Sequence, residues 1–422
     1  MSEMSATSSA TPSPTPTGLN LVLCCDGTSN QFGTNNTNVI RLVQVMLRHP
    51  EKQRLYYDPG VGTLPQPGIR GKIASAWSIV KGLAFGAGLA DNVTEAYTYL
   101  MNYWERGDRV FLFGFSRGSY TVRVLAGMLH AVGLLPRGSE NMVPYAMRLF
   151  KAVRKANDPN SGYWKLLSEF RRTFARPFRD GDDARHFPVH FLGVWDTVSS
   201  VGWVWDPVHY AFTANNPSIA TIRHAIALQE RRWFFRQNLA FPAGGQDLVQ
   251  RWFAGSHCDI GGGYPSDNAS DSRIWRNAME WLLTEAEHVG LLINEKRRAE
   301  VLPAMPGDRP LCCEPPQESL TWYWWPAEFF PKIRGGKPAF GLGRWRRLPE
   351  GAQIHRSVLE RIRLKTDYAP PNLSPDFLSK VRDPNYALPP EYETHFGEVT
   401  SPKVAPGYHA VPSSGAMPAD RR

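Results

Sequence analysis

The hydrophobic pattern of this chain alternates between short apolar runs and longer amphipathic stretches. Residues 19–25 form an apolar run that stops at Asp26-Gly27-Thr28, which predicts a buried strand followed by a turn. Thr37 is placed to cap an amphipathic helix carrying Val39, Leu42, Val43, Met46 and Leu47 on one face. Residues 54–57 predict a second strand, ended by Pro59-Gly60. Asp91 would cap a helix with Val93, Ala96, Tyr97, Leu100 and Met101 at helical spacing. Strand 109–113, helix 116–130 and strand 189–195 follow. Asn216-Pro217 is read as opening a helix through Ile219, Ile222 and Ile226. Strand 248–253 and helix 273–289 complete the alternation. This rhythm predicts an α/β fold around a mainly parallel sheet. After Gly290 the pattern fades into Pro, Trp and basic residues, which predicts an irregular C-terminal extension packed on the core.

The sharpest chemical signal is Gly114-Phe115-Ser116-Arg117-Gly118, set between a predicted strand and a predicted helix. That context marks a nucleophile elbow, in which the serine hydroxyl stands at a helix N-terminus. Such a serine needs a base and a carboxylate, in the chain order Ser, Asp/Glu, His. Asp196 follows strand 189–195, and His257 follows strand 248–253 inside a glycine-rich loop. His257 would deprotonate Ser116, and Asp196 would hold the imidazole tautomer. The N–H of Arg117 is one expected oxyanion donor, with Gly27 and Thr28 supplying a second and Ser29 and Asn30 lining the same mouth. A competing arrangement pairs His257 with Asp259, two residues on, as a metal-dependent hydrolase using Asp26 or Asp196 as a further ligand. The triad reading needs no metal and no cofactor.

These residues form part of an ordered set that resembles one family. The set comprises Asp26-Gly27-Thr28-x-Asn30, Asn38-Val39-x-Arg41-Leu42, Tyr57-Asp58-Pro59-Gly60-Val61-Gly62-Thr63, the Ser116 elbow and Val194-Trp195-Asp196-Thr197-Val198. It continues with Trp252-Phe253-x-Gly255-x-His257-x-Asp259-Ile260-Gly261-Gly262-Gly263-Tyr264 and a last echo, Ile354-His355-x-Ser357-Val358. It is similar to the α/β-hydrolase family that contains the catalytic domains of bacterial type VI secretion phospholipase effectors, with uncharacterised fungal members. The resemblance implies an α/β-hydrolase fold, a Ser116–Asp196–His257 triad and ester hydrolysis on lipids. One departure is Gln229-Glu230 before Arg231, where the family pattern leads one to expect an acidic pair. Its expected effect is a loosened salt bridge that leaves the triad untouched.

The expected organisation is a disordered leader over 1–17 and a catalytic domain over 18–300 with a cap-like insertion at about 136–187. An extension over 301–400 and a flexible tail over 401–422 follow. The leader has no apolar segment of signal-peptide type.

Composition then refines the partner. The net charge is +9. Ten Lys/Arg against two acids fall within residues 332–365, and eight against two within 151–179. Both segments carry aromatics, with Trp322-Tyr323-Trp324-Trp325 just before the first of them. Aromatic residues beside basic ones suit a lipid–water interface, so the expected partner is a lipid or other acyl ester, with peripheral membrane contact. No nucleic-acid motif accompanies the charge, which sets nucleic acid aside. Five cysteines in no disulfide or zinc spacing point to reduced thiols and a cytoplasmic location, with the membrane periphery as an alternative. Residues 73–90 are apolar apart from Lys81 and could form a lid, a buried helix or a membrane anchor. The competing functional reading is a non-catalytic membrane- or partner-binding module on a hydrolase scaffold.

Overall fold

A computed structural model describes residues 18–396, apart from 28–32, 34, 61–87, 154–161, 180, 182–184, 199–201, 204–205, 208–209, 265–271, 304–309, 330 and 335–336. The leader, the tail, Thr28, Ser29, Asn30 and most of segment 73–90 lie outside the described residues. No helix among the described residues is long and apolar enough to cross a membrane.

Eight strands build one sheet: β1 (Asn20–Cys25), β2 (Gln53–Asp58), β3 (Arg109–Phe115), β4 (Val189–Trp195), β5 (Ile219–Ala227), β6 (Asp247–Phe253), β7 (Ala352–His355) and β8 (Tyr392–His395). Their spatial order is β8-β7-β6-β5-β4-β3-β1-β2. Strands β1 to β7 run parallel, and β8 closes the edge antiparallel to β7. This is the mainly parallel sheet the alternation predicted, of the α/β-hydrolase-like kind the resemblance implied.

Both faces of the sheet are covered, so its central strands β1, β3 and β4 carry apolar residues at nearly every position. The pleat sorts them. Leu21, Leu23, Val110 and Leu112 face one core with helices α2 (Leu89–Tyr103) and α3 (Arg117–Val132). Val22, Cys24, Phe111 and Phe113 face the other, with α1 (Asn38–Val45) and α7 (Trp275–His288). Thr37 caps α1 by accepting the Ile40 N–H. Asp91 lies in the first turn of α2 rather than capping it, because the helix begins two residues earlier, after Gly88.

Two larger expectations change, for residues 219–227 and for the extension. Residues 219–227 form β5, not a helix. Ile219, Ile222 and Ile226 fit helical spacing, but a β-branched run buried on both faces fits a central strand equally well. The insertion contributes α4 (Val143–Ala152) and α5 (Gly162–Phe174), whose Val143, Phe150, Leu167 and Phe170 join the core shared with α2 and α3. The extension is not irregular throughout. It adds β7 and β8 to the sheet and packs α8 (Arg356–Leu364) and α9 (Pro375–Arg382) around Ile226, Trp252 and Ile354.

Part of the basic charge is internal. Arg171 is buried and donates to the Ala131 carbonyl, Arg176 donates to the Met101 carbonyl, and Arg361 donates to the carbonyls of Cys312 and Glu314. Arg363 likewise binds the carbonyls of Val381 and Tyr386. These guanidinium groups hold loops and helix ends, so part of the charge in the two basic segments is structural, while Lys151, Lys165, Arg172, Arg179, Arg344, Arg347 and Lys365 remain exposed.

Candidate active site

All the parallel strands end at one edge of the sheet, and the strand order reverses between β1 and β3. Open α/β sheets bind ligands at such a switch point. Ser116 follows β3, Asp196 follows β4, and His257 opens a short helix, α6 (His257–Gly261), after β6.

The elbow is tight, and its glycines are steric requirements. Ser116 has φ 59° and ψ −121°, a left-handed conformation that strains a residue with a Cβ. A Cβ on Gly114 would lie 2.6 Å from the backbone of Gly118 and Ser119. One on Gly118 would lie 2.1 Å from the Cys25 carbonyl oxygen, so α3 packs directly on the end of β1. The Arg117 N–H is the first of the helix, next to the serine.

The three expected residues meet. His257 Nε2 is 2.8 Å from Ser116 Oγ, and His257 Nδ1 is 2.6 Å from Asp196 Oδ2. The register explains this, because Phe115 pairs with Trp195 and Ala227 with Phe253. The imidazole lies between the rings of Phe115 and Phe235, with centroids at 4.6 and 4.8 Å. Burial lowers the His257 pKa below its ordinary value, and the Asp196 hydrogen bond opposes that shift. His257 is therefore neutral near pH 7. Burial alone would raise the Asp196 carboxyl, but the Arg346 guanidinium and His257 outweigh it and hold the group well below the usual carboxylate range.

The surrounding motif residues serve as struts. Asp26 Oδ2 accepts from Thr37 Oγ1 at 2.6 Å and from the Tyr57 hydroxyl at 3.2 Å. Its Oδ1 accepts the Gly27 N–H at 2.7 Å. In this conformation the Gly27 N–H therefore serves Asp26 rather than an incoming oxyanion. Asn38 donates to the Ile260 carbonyl, tying α1 to the His257 helix. Asp259 Oδ2 accepts from the Ser256 and Gln317 N–H groups, and burial raises its pKa to about 6. With His257 turned to Ser116 and Asp196, the His257/Asp259 pair does not converge on one point. Among the described residues no group of three or more His, Cys, Asp or Glu is placed to hold a metal ion.

Two residues outside the expected site set sit against Ser116, Asp196 and His257. Arg346 is buried and donates to both oxygens of Asp196, at 2.5 and 2.9 Å. Nothing in the sequence separates it from its neighbours Arg344 and Arg347, so the basic run conceals it. Glu230 is fully buried, pairs bidentately with Arg232 at 3.0 and 2.9 Å, and accepts the His257 backbone N–H at 3.1 Å. This corrects the expectation that the Gln229-Glu230 departure leaves the triad untouched. Gln229 accepts the Gly255 N–H, so both residues shape the His257 loop.

The family model described as T6SS phospholipase effector Tle1-like, catalytic domain, matches residues 19–285. The chain belongs to this family. An uncharacterised Saccharomyces cerevisiae protein, YEL023C, is 32% identical over 251 residues, covering 57% of this chain and 35% of its own length. A crystal structure of an uncharacterised Pseudomonas aeruginosa protein aligns with 68% of this chain and 48% of that one, at 16% identity and a TM-score of 0.39. The structure of the Tle1 effector bound to the VgrG spike of the type 6 secretion system aligns with 60% of this chain and 53% of that one, at 19% identity and a TM-score of 0.34. The chain thus spans little more than half, or less, of each of these relatives. The matched Tle1-like domain contains Ser116, Asp196 and His257, while Arg346, Ser319 and Gln317 lie beyond it.

Proposed function

We propose that this Tle1-like protein is a serine ester hydrolase acting on phospholipid or a related acyl ester. The observation that carries this reading is the continuous hydrogen-bond chain Ser116 Oγ–His257–Asp196 at a strained elbow. In the proposed cycle His257 takes the Ser116 proton as Oγ attacks the ester carbonyl. The Arg117 N–H and the α3 N-terminus stabilise the oxyanion. Collapse expels the alcohol with the proton from His257, and a water activated by the same imidazole then hydrolyses the acyl-enzyme.

The lipid assignment draws on the family description and on Trp322, Trp325 and Phe329, which are exposed. Their neighbour Trp324 meets Phe235, the ring that covers His257. A bilayer surface held there would lie two aromatic rings, Trp324 and Phe235, from the base.

The test is labelling by a fluorophosphonate probe. The expected result is stoichiometric labelling that disappears in Ser116→Ala and survives chelators. A folded wild type that takes no label would overturn the serine mechanism. Activity lost on chelation and restored by a divalent metal would favour the metal-dependent alternative. Liposome binding without turnover would favour the non-catalytic module.

A further inference from the structure

The triad carboxylate is held by more than its histidine. Asp196 is fully buried, and its Oδ1 accepts the Ala227 N–H at 2.9 Å. The rest of its environment is supplied by Arg346, which is 1% exposed and reaches it from the extension, 150 residues along the chain. The two guanidinium nitrogens straddle the two carboxylate oxygens in the planar fork that arginine forms and lysine cannot. The same guanidinium is fixed from behind by the carbonyls of Ala227 and Phe235. Phe235 is also the ring packed on His257, so one side chain ties together the carboxylate, the strand beside it and the cover of the imidazole.

We propose that Arg346 is a positioning residue of the catalytic site, clamping Asp196 in the plane that His257 requires, so that the segment beyond the matched catalytic domain completes the active centre. The inference rests on the triad reading above. An isolated buried arginine is costly, and so is an isolated buried carboxylate. Together they allow a fully dry carboxylate to remain ionised and fixed. The arrangement has a chemical consequence. The charged and titratable groups facing the Asp196–His257 pair are Arg346, Arg232, Glu230, His224 and Cys258. Removing the Arg346 cation raises the proton affinity of the pair as a unit, whichever member takes the proton. A base that must be free of that proton then loses activity at a higher pH.

The experiment uses the full chain with Arg346→Gln and Arg346→Lys, assayed on a soluble short-chain p-nitrophenyl ester across pH. Misplacing a catalytic group by about 1 Å costs roughly a hundredfold, so Arg346→Gln is expected to lower kcat by about that factor with KM nearly unchanged. The acid limb of its profile should move to higher pH. Arg346→Lys restores the charge without the fork, so it should return the acid limb and recover part of kcat. In an Asp196→Asn background Arg346→Gln should cost little more, because the residue acts through the carboxylate. The proposal is overturned by wild-type kcat and an unmoved acid limb in folded Arg346→Gln, or by its full effect persisting in Asp196→Asn. If Arg346→Gln does not fold, wild-type kcat in Arg346→Lys overturns it instead. If the wild type itself takes no fluorophosphonate, the serine reading fails separately. The Arg346 inference is then decided by NMR titration of His257, where an unshifted ionisation in Arg346→Gln overturns it.

Discussion

The Ser116 amide donates to the Trp195 carbonyl oxygen at 3.1 Å. The nucleophile candidate and the residue before the triad carboxylate are thereby joined by the last rung between β3 and β4. Ser119 Oγ reinforces the joint, its single proton shared between the carbonyl oxygens of Gly114 and Trp195 at 2.7 and 2.9 Å. The elbow and the carboxylate turn therefore form one rigid unit, set by sheet register rather than by loop packing. Rigid elements of this kind keep a catalytic geometry better than free loops do.

That rigidity makes the glycines as testable as the serine. Ser116→Ala should leave thermal stability nearly unchanged and remove ester hydrolysis by about 10³-fold or more, since triad members act as a unit. Gly118→Ala should instead lower stability by about 2 kcal/mol and activity with it, because the new methyl meets the Cys25 carbonyl. Thermal melting alongside turnover separates the two. A Gly118→Ala protein with wild-type melting and turnover would show that α3 does not need its close approach to β1.

The pH dependence of turnover follows from His257. The base must be neutral, and burial lowers its pKa below 6.5. The acid limb of kcat/KM should therefore lie below the ordinary imidazole value. A limb at or above pH 6.5 in the wild type would contradict a buried, ring-covered imidazole.

Stability should respond to pH in the same sense. His224 and His355 have pKa values lowered to about 3 by burial. Each is neutral when folded, while its unfolded form takes a proton near 6.5. The unfolded state thus binds more protons between these values, so stability is complete above 6.5 and declines as pH falls toward 3. Each such histidine contributes a slope of up to about 1.4 kcal/mol per pH unit within that window. Asp259, raised to about 6, acts in the opposite direction between 3.8 and 6, as do Asp58 and Asp108, whose carboxyls burial also raises, while His130, His257 and His395, lowered by burial, add to the decline. Urea midpoints at pH 7, 6, 5 and 4 should fall in that order. A midpoint that stays constant down to pH 4 would contradict buried neutral imidazoles at these positions.

The parts of this architecture that repeat along the sequence were legible there. Val189–Trp195 is read with its observed bounds because apolar side chains and a following Asp mark both its body and its end. Ser116 and Asp196 were singled out because each follows a strand, and His257 because it lies in the glycine-rich loop just past one. Residues 219–227 were misread because three isoleucines satisfy both periods, and only their position between β4 and β6 selects the strand. Strands β7 and β8 are four residues each and carry Gln, His, Glu and Thr, so neither shows a run. Arg346 was hidden for a different reason. Its partner is 150 residues away, and in sequence a buried fork looks like any surface arginine.

Glu230 offers a test of the His257 loop that does not depend on catalysis. Its carboxylate is fully buried, binds Arg232 through both oxygens, accepts from Ser319 Oγ at 3.0 Å and takes the His257 N–H. Arg232 in turn stacks 3.8 Å from the Phe235 ring and 5.0 Å from Trp324. Arg232 holds the Glu230 pKa down to about 2 against its burial, so the pair is ionised throughout the physiological range. Glu230→Gln removes the charge and strands a buried guanidinium, which should cost about 3–5 kcal/mol. Replacing both residues by apolar ones, Glu230→Leu with Arg232→Met, should cost less than the single change, because no charge is then left without a partner. The denaturant midpoints of the two variants check this directly. If the double variant is the less stable one, the pair holds the loop through its net attraction, and the desolvation argument fails for this site.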